Sequence, residues 1–187
     1  MPDAADAPHL PPISDACWPE ELAPLRGSFA TGLNVYRVMA HHPALLTAWA
    51  PLRDHLVRHS TLGPERAEIV VLRTGYRMWS TYEWAQHVHR ARELGMTDAR
   101  IASVRGPLDA MAPDDATLAG AVDALFDARE VPRPLQAEVV KLAGAEGLID
   151  LIATVGFYVT LGGLLNSFDV PLDDDVAAAL DRDPPPS

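Results

Sequence analysis

Three side chains capable of acid–base chemistry lie close together in the sequence. Glu83 and His87 are four residues apart, so on a helix they project from the same face within reach of one another. Glu68, in the preceding helical segment, shares a face with Ile69 and Leu72. A carboxylate on an apolar face tends to have a raised pKa, and a carboxylate beside a histidine can pass it a proton. The spacing therefore indicates a proton-transfer site of two carboxylates and one imidazole.

The same residues also have a purely structural interpretation. The run from Ser80 to Glu83 fits a capping box, in which the serine caps a helix and the glutamate bonds back to the serine N–H. Trp79 and Trp84 fall where a hydrophobic staple would lie. The spacing alone leaves both interpretations of Glu83 open.

The elements that must position these groups are predicted to be helices. Apolar residues recur at helical spacing through the body of the chain, and no segment has the pattern of a strand. Prolines, glycines and capping residues mark the ends of these segments. We expect helices at about 33–40, 43–56, 64–77, 81–94, 97–104 and 114–128, with a turn at 78–80 and a further apolar helix at 151–168.

The segment from Leu151 to Phe168 contains no charged residue over 18 positions, which is just long enough for a transmembrane helix. Its three glycines and acidic flanks, without a basic anchor, argue against a membrane span. A central helix of a bundle, or an oligomer interface, requires the same apolarity. We expect a soluble oligomer in which this segment is buried, at least partly between subunits.

Composition narrows the function and the organisation of the chain. With 26 acidic and 15 basic residues, the net charge of −11 would repel nucleic acid and anionic membranes, so neither is an expected partner. The 187 residues suit one helical domain at 29–172, preceded by a proline-rich N-terminal extension at 1–28 and followed by an acidic, proline-rich C-terminal tail at 173–187. A single cysteine, Cys17, and an N-terminus unlike a secretory signal predict a cytoplasmic protein.

Four stretches between about residue 36 and residue 168 have a characteristic order and spacing. They are His41-His-Pro-Ala-Leu-Leu46, Glu68-Ile-Val-Val-Leu-Arg73, Tyr82-Glu-Trp-Ala-Gln-His87, and Val155-Gly-Phe-Tyr158 leading into Leu164-Leu-Asn166. Over this range the chain resembles the carboxymuconolactone decarboxylase and alkyl hydroperoxidase D-like family of small all-helical oligomers. The resemblance implies an all-α helical bundle of the carboxymuconolactone decarboxylase-like type that assembles as a homo-oligomer, a trimer or a hexamer, and uses no cofactor.

The branch of the family decides the expected chemistry. In the peroxidase branch a glutamate precedes a Cys-x-x-Cys pair, and a histidine follows four residues after the second cysteine. Glu68 and His87 match the glutamate and the histidine, but Ser80 and Glu83 stand at the cysteine positions. A dithiol peroxidase needs one thiolate to attack the peroxide and a second thiol to resolve the product. Thiol-dependent peroxidase activity is therefore not expected.

The decarboxylase branch has Glu-x-x-x-His at this place, which Glu83 and His87 match. This resemblance implies a decarboxylase, or a related lyase or isomerase, that acts without a cofactor on a small carboxylated or lactone-like metabolite. Such a reaction also needs a cation or dipoles to hold a carboxylate. Arg73 and Arg77 are the candidate cations, although a structural ion pair explains Arg73 equally well.

Further side chains complete the expected site. Ser80, Tyr82 and His41 are candidate substrate contacts. His41 can alternatively be structural, because a cationic side chain at the end of a helix interacts favourably with the helix dipole. His55 and His59 are four residues apart, but no carboxylate-rich motif accompanies them, so no metal is expected. Two other functions remain as alternatives: a thiol-type redox protein of the peroxidase branch, and a non-catalytic binding or assembly protein on the same scaffold.

Overall fold

A computed structural model describes residues 10–186, which form α-helices and no strand. The predicted all-α fold is confirmed. The helix α3 continues directly into a π-helical turn, His55–His59, and short 3₁₀ turns occur at Asp15–Cys17, Glu20–Leu25 and Leu108–Ala110. The helices are α1 (Phe29–Gly32), α2 (Asn34–Met39), α3 (Pro43–Asp54), α4 (Pro64–Arg77), α5 (Thr81–Glu93), α6 (Asp98–Ser103), α7 (Pro113–Ala128), α8 (Arg133–Ser167) and α9 (Asp174–Arg182).

Prolines and capping side chains explain where these helices begin. Pro43, Pro64 and Pro113 each stand in the first turn, where the missing N–H costs nothing and the fixed φ angle suits a helix. The side chains of Ser80 and Thr97 each accept a hydrogen bond from the backbone N–H three residues later. The predicted starts of α3 to α7 are therefore correct to within one residue.

The helix α4 lies at the centre of the bundle. It packs against α5, α7 and α8, and α7 also packs against α8. Because neighbours cover this helix on several sides, every residue from Glu68 to Gly75 is buried. A second apolar cluster, on the side of α2 and α3, includes Tyr36, Leu46 and Phe157.

The helix α8 runs through the whole bundle and is bent at Gly144, whose φ of 76° is outside the helical region. It is the one helix among the described residues that is long and apolar enough to cross a membrane, and half of its most apolar stretch is buried within the protein. The other half includes Ile149 and Ile152, which are 66% and 44% exposed. The segment predicted to be buried, at least partly between subunits, is therefore covered on one side only in a single chain.

Both ends of the chain contribute more to the core than their composition predicts. Trp18 and Leu22, in the predicted N-terminal extension, are buried. Residues of the predicted C-terminal tail form α9, whose Val176 and Leu180 pack into the core because they are four residues apart on one face of a helix. Residues 1–9 and 187, also assigned to these ends, lie outside the described residues.

Candidate active site

Glu68, Glu83 and His87 come together between α4 and α5. Nδ1 of His87 lies 2.6 Å from Oε2 of Glu68, and Nε2 of the same ring lies 3.5 Å from Oε2 of Glu83. All three side chains are buried. The imidazole therefore has one carboxylate at each ring nitrogen, which is a geometry suited to proton transfer.

A close approach of α4 and α5 makes this geometry possible. A Cβ atom on Gly75 would lie 3.1 Å from Cβ of Glu83, so a larger residue there would push the two helices apart. The connecting turn holds Trp79 at a φ of 57°, a left-handed conformation that reverses the chain direction within three residues. The hairpin thus brings Glu68 of the first helix to the His87 face of the second.

Glu68 fixes the orientation of the histidine. Its Oε2 atom accepts the Nδ1–H of His87, and its Oε1 atom lies 2.9 Å from Nε of Arg90. Both carboxylate oxygens are thus occupied by donors. A proton held on Nδ1 by this contact leaves Nε2 as the nitrogen that exchanges protons with Glu83.

The fold raises the pKa of Glu83 into the range that acid–base catalysis requires. The pKa of Glu83 is raised to about 7, mainly by burial; the charge of His87 lowers it, and the charges of Glu68 and Asp173 raise it. A carboxyl with a pKa near neutrality can both donate and accept a proton at physiological pH.

The structure contradicts half of the capping-box interpretation. Oγ of Ser80 accepts the backbone N–H of Glu83 at 3.3 Å, as predicted, but the N–H of Ser80 donates to the carbonyl of Gly75 at 3.0 Å. The Glu83 carboxylate therefore does not serve as the reciprocal cap, and it faces the cavity instead. The predicted staple is also wrong, because the left-handed backbone turns Trp79 into solvent, where it is 88% exposed, while Trp84 is buried.

A cavity of about 250 Å³ opens beside Glu83 and His87. This volume lies below the roughly 300 to 1,000 Å³ of typical ligand sites, so it suits a small molecule. The phenols of Tyr36, Tyr82 and Tyr158 line it, together with Arg53 and Arg90 and, from α9, Asp175 and Val176.

The tyrosines of the cavity are neutral hydrogen-bonding groups. Burial raises the pKa of Tyr36 and of Tyr158 far above their ordinary value, so both phenols keep their protons. The Tyr158 ring meets the His87 ring edge-on at 5.0 Å. The Tyr82 hydroxyl donates to Asp173 at 2.5 Å, which ties α5 to the start of α9.

The two arginines predicted to hold a substrate carboxylate lie elsewhere. Arg73 donates to Asp123 from Nε and Nη2 at 2.9 and 2.6 Å and also to two backbone carbonyls, so it forms a structural ion pair. Arg77 donates to Asp123 at 2.9 Å and pairs with Asp127. Neither arginine lines the cavity. Their neighbours on α7, which the sequence did not connect with them, neutralise both charges.

Of the other predicted substrate contacts, only Tyr82 lines the cavity. Ser80 is buried at the start of α5 and is occupied as the helix cap. His41 is exposed, and its Nε2–H donates to the carbonyl of Pro11 at 2.8 Å. His41 therefore holds the N-terminal segment against the end of α2.

Sequence reasoning missed the two cations that do line the cavity. Arg90 follows His87 by three residues on one helix face, a spacing that could have indicated it. Arg53 comes from α3, and only tertiary packing brings it to the cavity. No local pattern predicts that contact.

The histidines outside the site have structural partners. Nε2 of His55 lies 2.8 Å from Oδ1 of Asp150, which joins the π-helical turn to α8, and His59 pairs with Asp54 at 3.5 Å. Within residues 10–186 no group of three His, Cys, Asp or Glu side chains is arranged to hold a metal ion. The single thiol, Cys17, is exposed.

The raised pKa of Glu83 makes stability depend on pH. Between the ordinary value of 4.5 and the folded-state value of about 7, the folded protein binds one proton more than the unfolded chain. The free energy of unfolding therefore falls as pH rises through this window, and the cost is complete above it. Relative to Glu83→Gln, the wild type is expected to lose about 3 kcal/mol between these limits. Urea unfolding of both proteins at a series of pH values measures the difference, and parallel curves would contradict it.

Comparison with known families bears directly on this hairpin. Residues 43–127 match the model of the carboxymuconolactone decarboxylase family, and this range contains Glu68, Glu83 and His87. The resemblance inferred from the sequence is thereby confirmed. No curated protein matches the chain at a significant level.

Two solved structures share the fold of this chain. The debrominase Bmp8, in complex with 2,3,4-tribromopyrrole, is 14% identical, with a TM-score of 0.74 over 93% of this chain and 96% of that chain. An alkylhydroperoxidase AhpD core protein, an uncharacterized peroxidase-related protein from Ralstonia eutropha JMP134, is 15% identical, with a TM-score of 0.71 over 89% and 94%. At these identities the likeness shows the fold alone.

Proposed function

We propose that this protein is a cofactor-independent acid–base enzyme that decarboxylates, or carries out a related lyase or isomerase step on, a small carboxylated or lactone-like metabolite. The observation that carries the proposal is the position of Glu83. Its carboxyl, with a pKa of about 7, lies 3.5 Å from Nε2 of His87 at the wall of a small cavity. The match of residues 43–127 to the carboxymuconolactone decarboxylase family model supports an enzymatic role at this site.

The geometry supports a simple proton balance for decarboxylation. When the bond between the substrate carboxylate and its α-carbon breaks, carbon dioxide leaves and the electron pair remains as an enolate or dienolate. The protonated Glu83 would deliver a proton to that carbon, directly or through Nε2 of His87, and would recover a proton from solvent after product release. The neutral phenols of Tyr36 and Tyr158 would donate hydrogen bonds to the developing oxyanion.

The groups around Glu83 and His87 fix the position of the histidine. Glu68, itself paired with Arg90, holds the imidazole, so His87 does not have to reorganise when Glu83 changes charge. No electrons are gained or lost in this step, and its atoms balance without an added reactant. A screen of lactones and unsaturated carboxylic acids, followed by carbon dioxide release and loss of ultraviolet absorbance, tests the proposal.

The same screen, combined with a titration of Glu83, can also contradict the proposed function. If no member of the screen reacts and NMR titration places the Glu83 carboxyl near its ordinary pKa of 4.5, the chain is a binding or assembly protein on this scaffold. A perturbed Glu83 without turnover would instead mean that the true substrate lies outside the compounds screened.

Peroxidase activity is expected to be absent. Ser80 and Glu83 cannot form the disulfide that a dithiol cycle needs, and Cys17 is exposed on a 3₁₀ turn that does not line the cavity. Purified protein should therefore show no turnover of hydrogen peroxide or an alkyl hydroperoxide with a dithiol reductant. Turnover that persists in Cys17→Ser would move the chemistry away from the site proposed above.

We also propose that the chain assembles as a homo-oligomer through the uncovered side of α8. Ile149, Ile152, Gly156 and Thr160 follow one another at helical spacing on that side, and all are exposed in the single chain. An apolar helix face of this kind is normally covered in a stable protein, and the small residues allow a second helix to approach closely.

Light scattering tests this assembly. Wild-type protein is expected to have a mass that is a multiple of 20.2 kDa, and Ile152→Glu is expected to shift it toward the monomer because a charge would be buried in the interface. Ala48→Glu, on the exposed side of α3, is the matched control and should keep the wild-type mass. A wild type that stays monomeric and folded at micromolar concentration would contradict the proposal.

A further inference from the structure

Arg53 is a buried cation without a carboxylate partner. The residue is only 9% exposed, and its Nε–H has no hydrogen-bond acceptor among the described residues. Arg90, the other arginine that lines the cavity, pairs with Glu68, and Arg73 and Arg77 both pair with Asp123. A buried charge is costly unless it is paired, so an unpaired arginine calls for a partner.

The surroundings of Arg53 orient its N–H groups. The guanidinium carbon lies 4.3 Å from the centre of the Phe29 ring, so one flat face of the group is covered by an aromatic ring. Stacking of this kind leaves the N–H donors at the edge of the guanidinium to reach acceptors, one of which is the phenol oxygen of Tyr36. Arg53 lines the same cavity as Glu83 and His87, and the charges of Arg53 and Glu83 both act on the Tyr36 phenol.

A second buried N–H donor lies on α3. Nε1 of Trp49, one turn before Arg53, is also buried and, like Arg53, is directed at the Tyr36 phenol, and the indole stacks on the Phe157 ring at 4.4 Å. Trp49 does not line the cavity, so it does not extend the site itself. It shows that this turn of α3 carries donors and no acceptors toward the interior.

We propose that Arg53 binds the carboxylate of a small-molecule monoanion in this cavity and thereby selects acids over their neutral analogues. A planar carboxylate matches the guanidinium edge through two parallel hydrogen bonds. The cavity also contains Glu83, Glu93 and Asp175, so a single unpaired cation favours one negative charge over the two of a phosphate. The inference assigns the substrate-binding role to Arg53 in place of Arg73 and Arg77, and it rests on the proposed function only for the reaction that follows binding.

Binding experiments test this assignment without any turnover. Isothermal titration calorimetry would compare sorbate, benzoate and hexanoate with the corresponding neutral amides. Wild-type protein is expected to bind at least one acid about 10-fold or more tightly than its amide, because a charge-assisted bidentate contact is lost in the amide. Arg53→Met should remove this preference and leave amide affinity unchanged. Arg53→Lys, which keeps the charge but not the two parallel bonds, should retain part of it.

The matched control is Arg77→Gln, which removes an arginine that does not line the cavity and should leave the preference intact. Glu83→Gln should still bind the acid, because binding and proton transfer use different side chains; a loss of turnover there would concern the reaction only. The proposal is overturned if no acid in the panel binds better than its amide, or if Arg53→Met keeps the preference.

Thermal melting of the ligand-free protein gives an independent readout. If Arg53 is held unpaired for a ligand, Arg53→Met should melt at the wild-type temperature or about 2–4 °C higher, because an unpaired buried charge is removed. A fall of more than about 4 °C would assign Arg53 a role in holding the fold and would overturn the proposal.

Discussion

Replacement of Glu83 by glutamine is expected to lower turnover on the true substrate by about 100-fold or more and to leave the protein folded. The amide has the size of the carboxyl but cannot ionise, so it can neither deliver nor recover a proton. The cap at the start of α5 is kept, because Ser80 bonds to the backbone N–H of this residue and not to its side chain. Rates and thermal melts measured together separate loss of chemistry from loss of structure.

The histidine partner provides the second half of this experiment. His87→Gln is expected to lose activity to a similar degree, and the double variant should lose little more if the two groups act as one unit. Glu138→Gln, at an exposed position paired only with Lys141, is the matched control for the carboxyl-to-amide change. Full activity in a well-folded Glu83→Gln would move the proton-transfer role to Glu68.

Removal of the Asp123 carboxylate is expected to destabilise the fold by about 3–5 kcal/mol, because it leaves Arg73 as a buried charge without its partner. Arg73 is nearly inaccessible, and both of its contacts to Asp123 are within hydrogen-bond distance. Asp123→Ala should therefore lower the melting temperature by roughly 10 °C.

The neighbouring Asp127→Ala is the control for this prediction. It sits one helical turn later, also pairs with Arg77, and is exposed, so its removal should change the melting temperature little. Ligand affinity should be the same in both variants, because neither arginine bound by these carboxylates lines the cavity. Equal melting temperatures for the two variants would show that the Arg73 ion pair does not stabilise the core.

The helices that the sequence predicted well are those with strong local signals. Pro43, Pro64 and Pro113 mark helix starts, because the fixed φ angle of a proline suits the first turn of a helix. The three-residue turn before α5 was predictable because Ser80 caps that helix. The first half of α8 was missed because Gly144 and Gly147 weaken helix propensity there. Before Gly144 only Leu135, Val139 and Ala143 contact the core, and most of the other residues there are exposed.

In the candidate site, too, some features follow from local spacing and others depend on tertiary contacts. The Glu83 and His87 pair was predictable because a four-residue spacing fixes a shared helix face, and Glu68 was predictable from its place on an apolar stripe. Whether Glu83 caps the helix or faces the cavity depends on where the Ser80 N–H finds its acceptor, a contact made across the α4 to α5 turn. The partners of Arg73 and Arg77 depend on α7, which lies about 50 residues away in the chain.

The link between α9 and the rest of the protein has a consequence for mutational screens. The Asp173 carboxylate accepts the backbone N–H of Asn34 and the side chains of Tyr82 and Gln86, so one residue joins three helices at the edge of the cavity. A screen that scores only product formation would rank Asp173 beside Glu83, although it carries no proton in the reaction. Pairing that score with cellular protein abundance would separate them: Asp173 variants would be depleted in both readouts, and Glu83 variants in product formation alone.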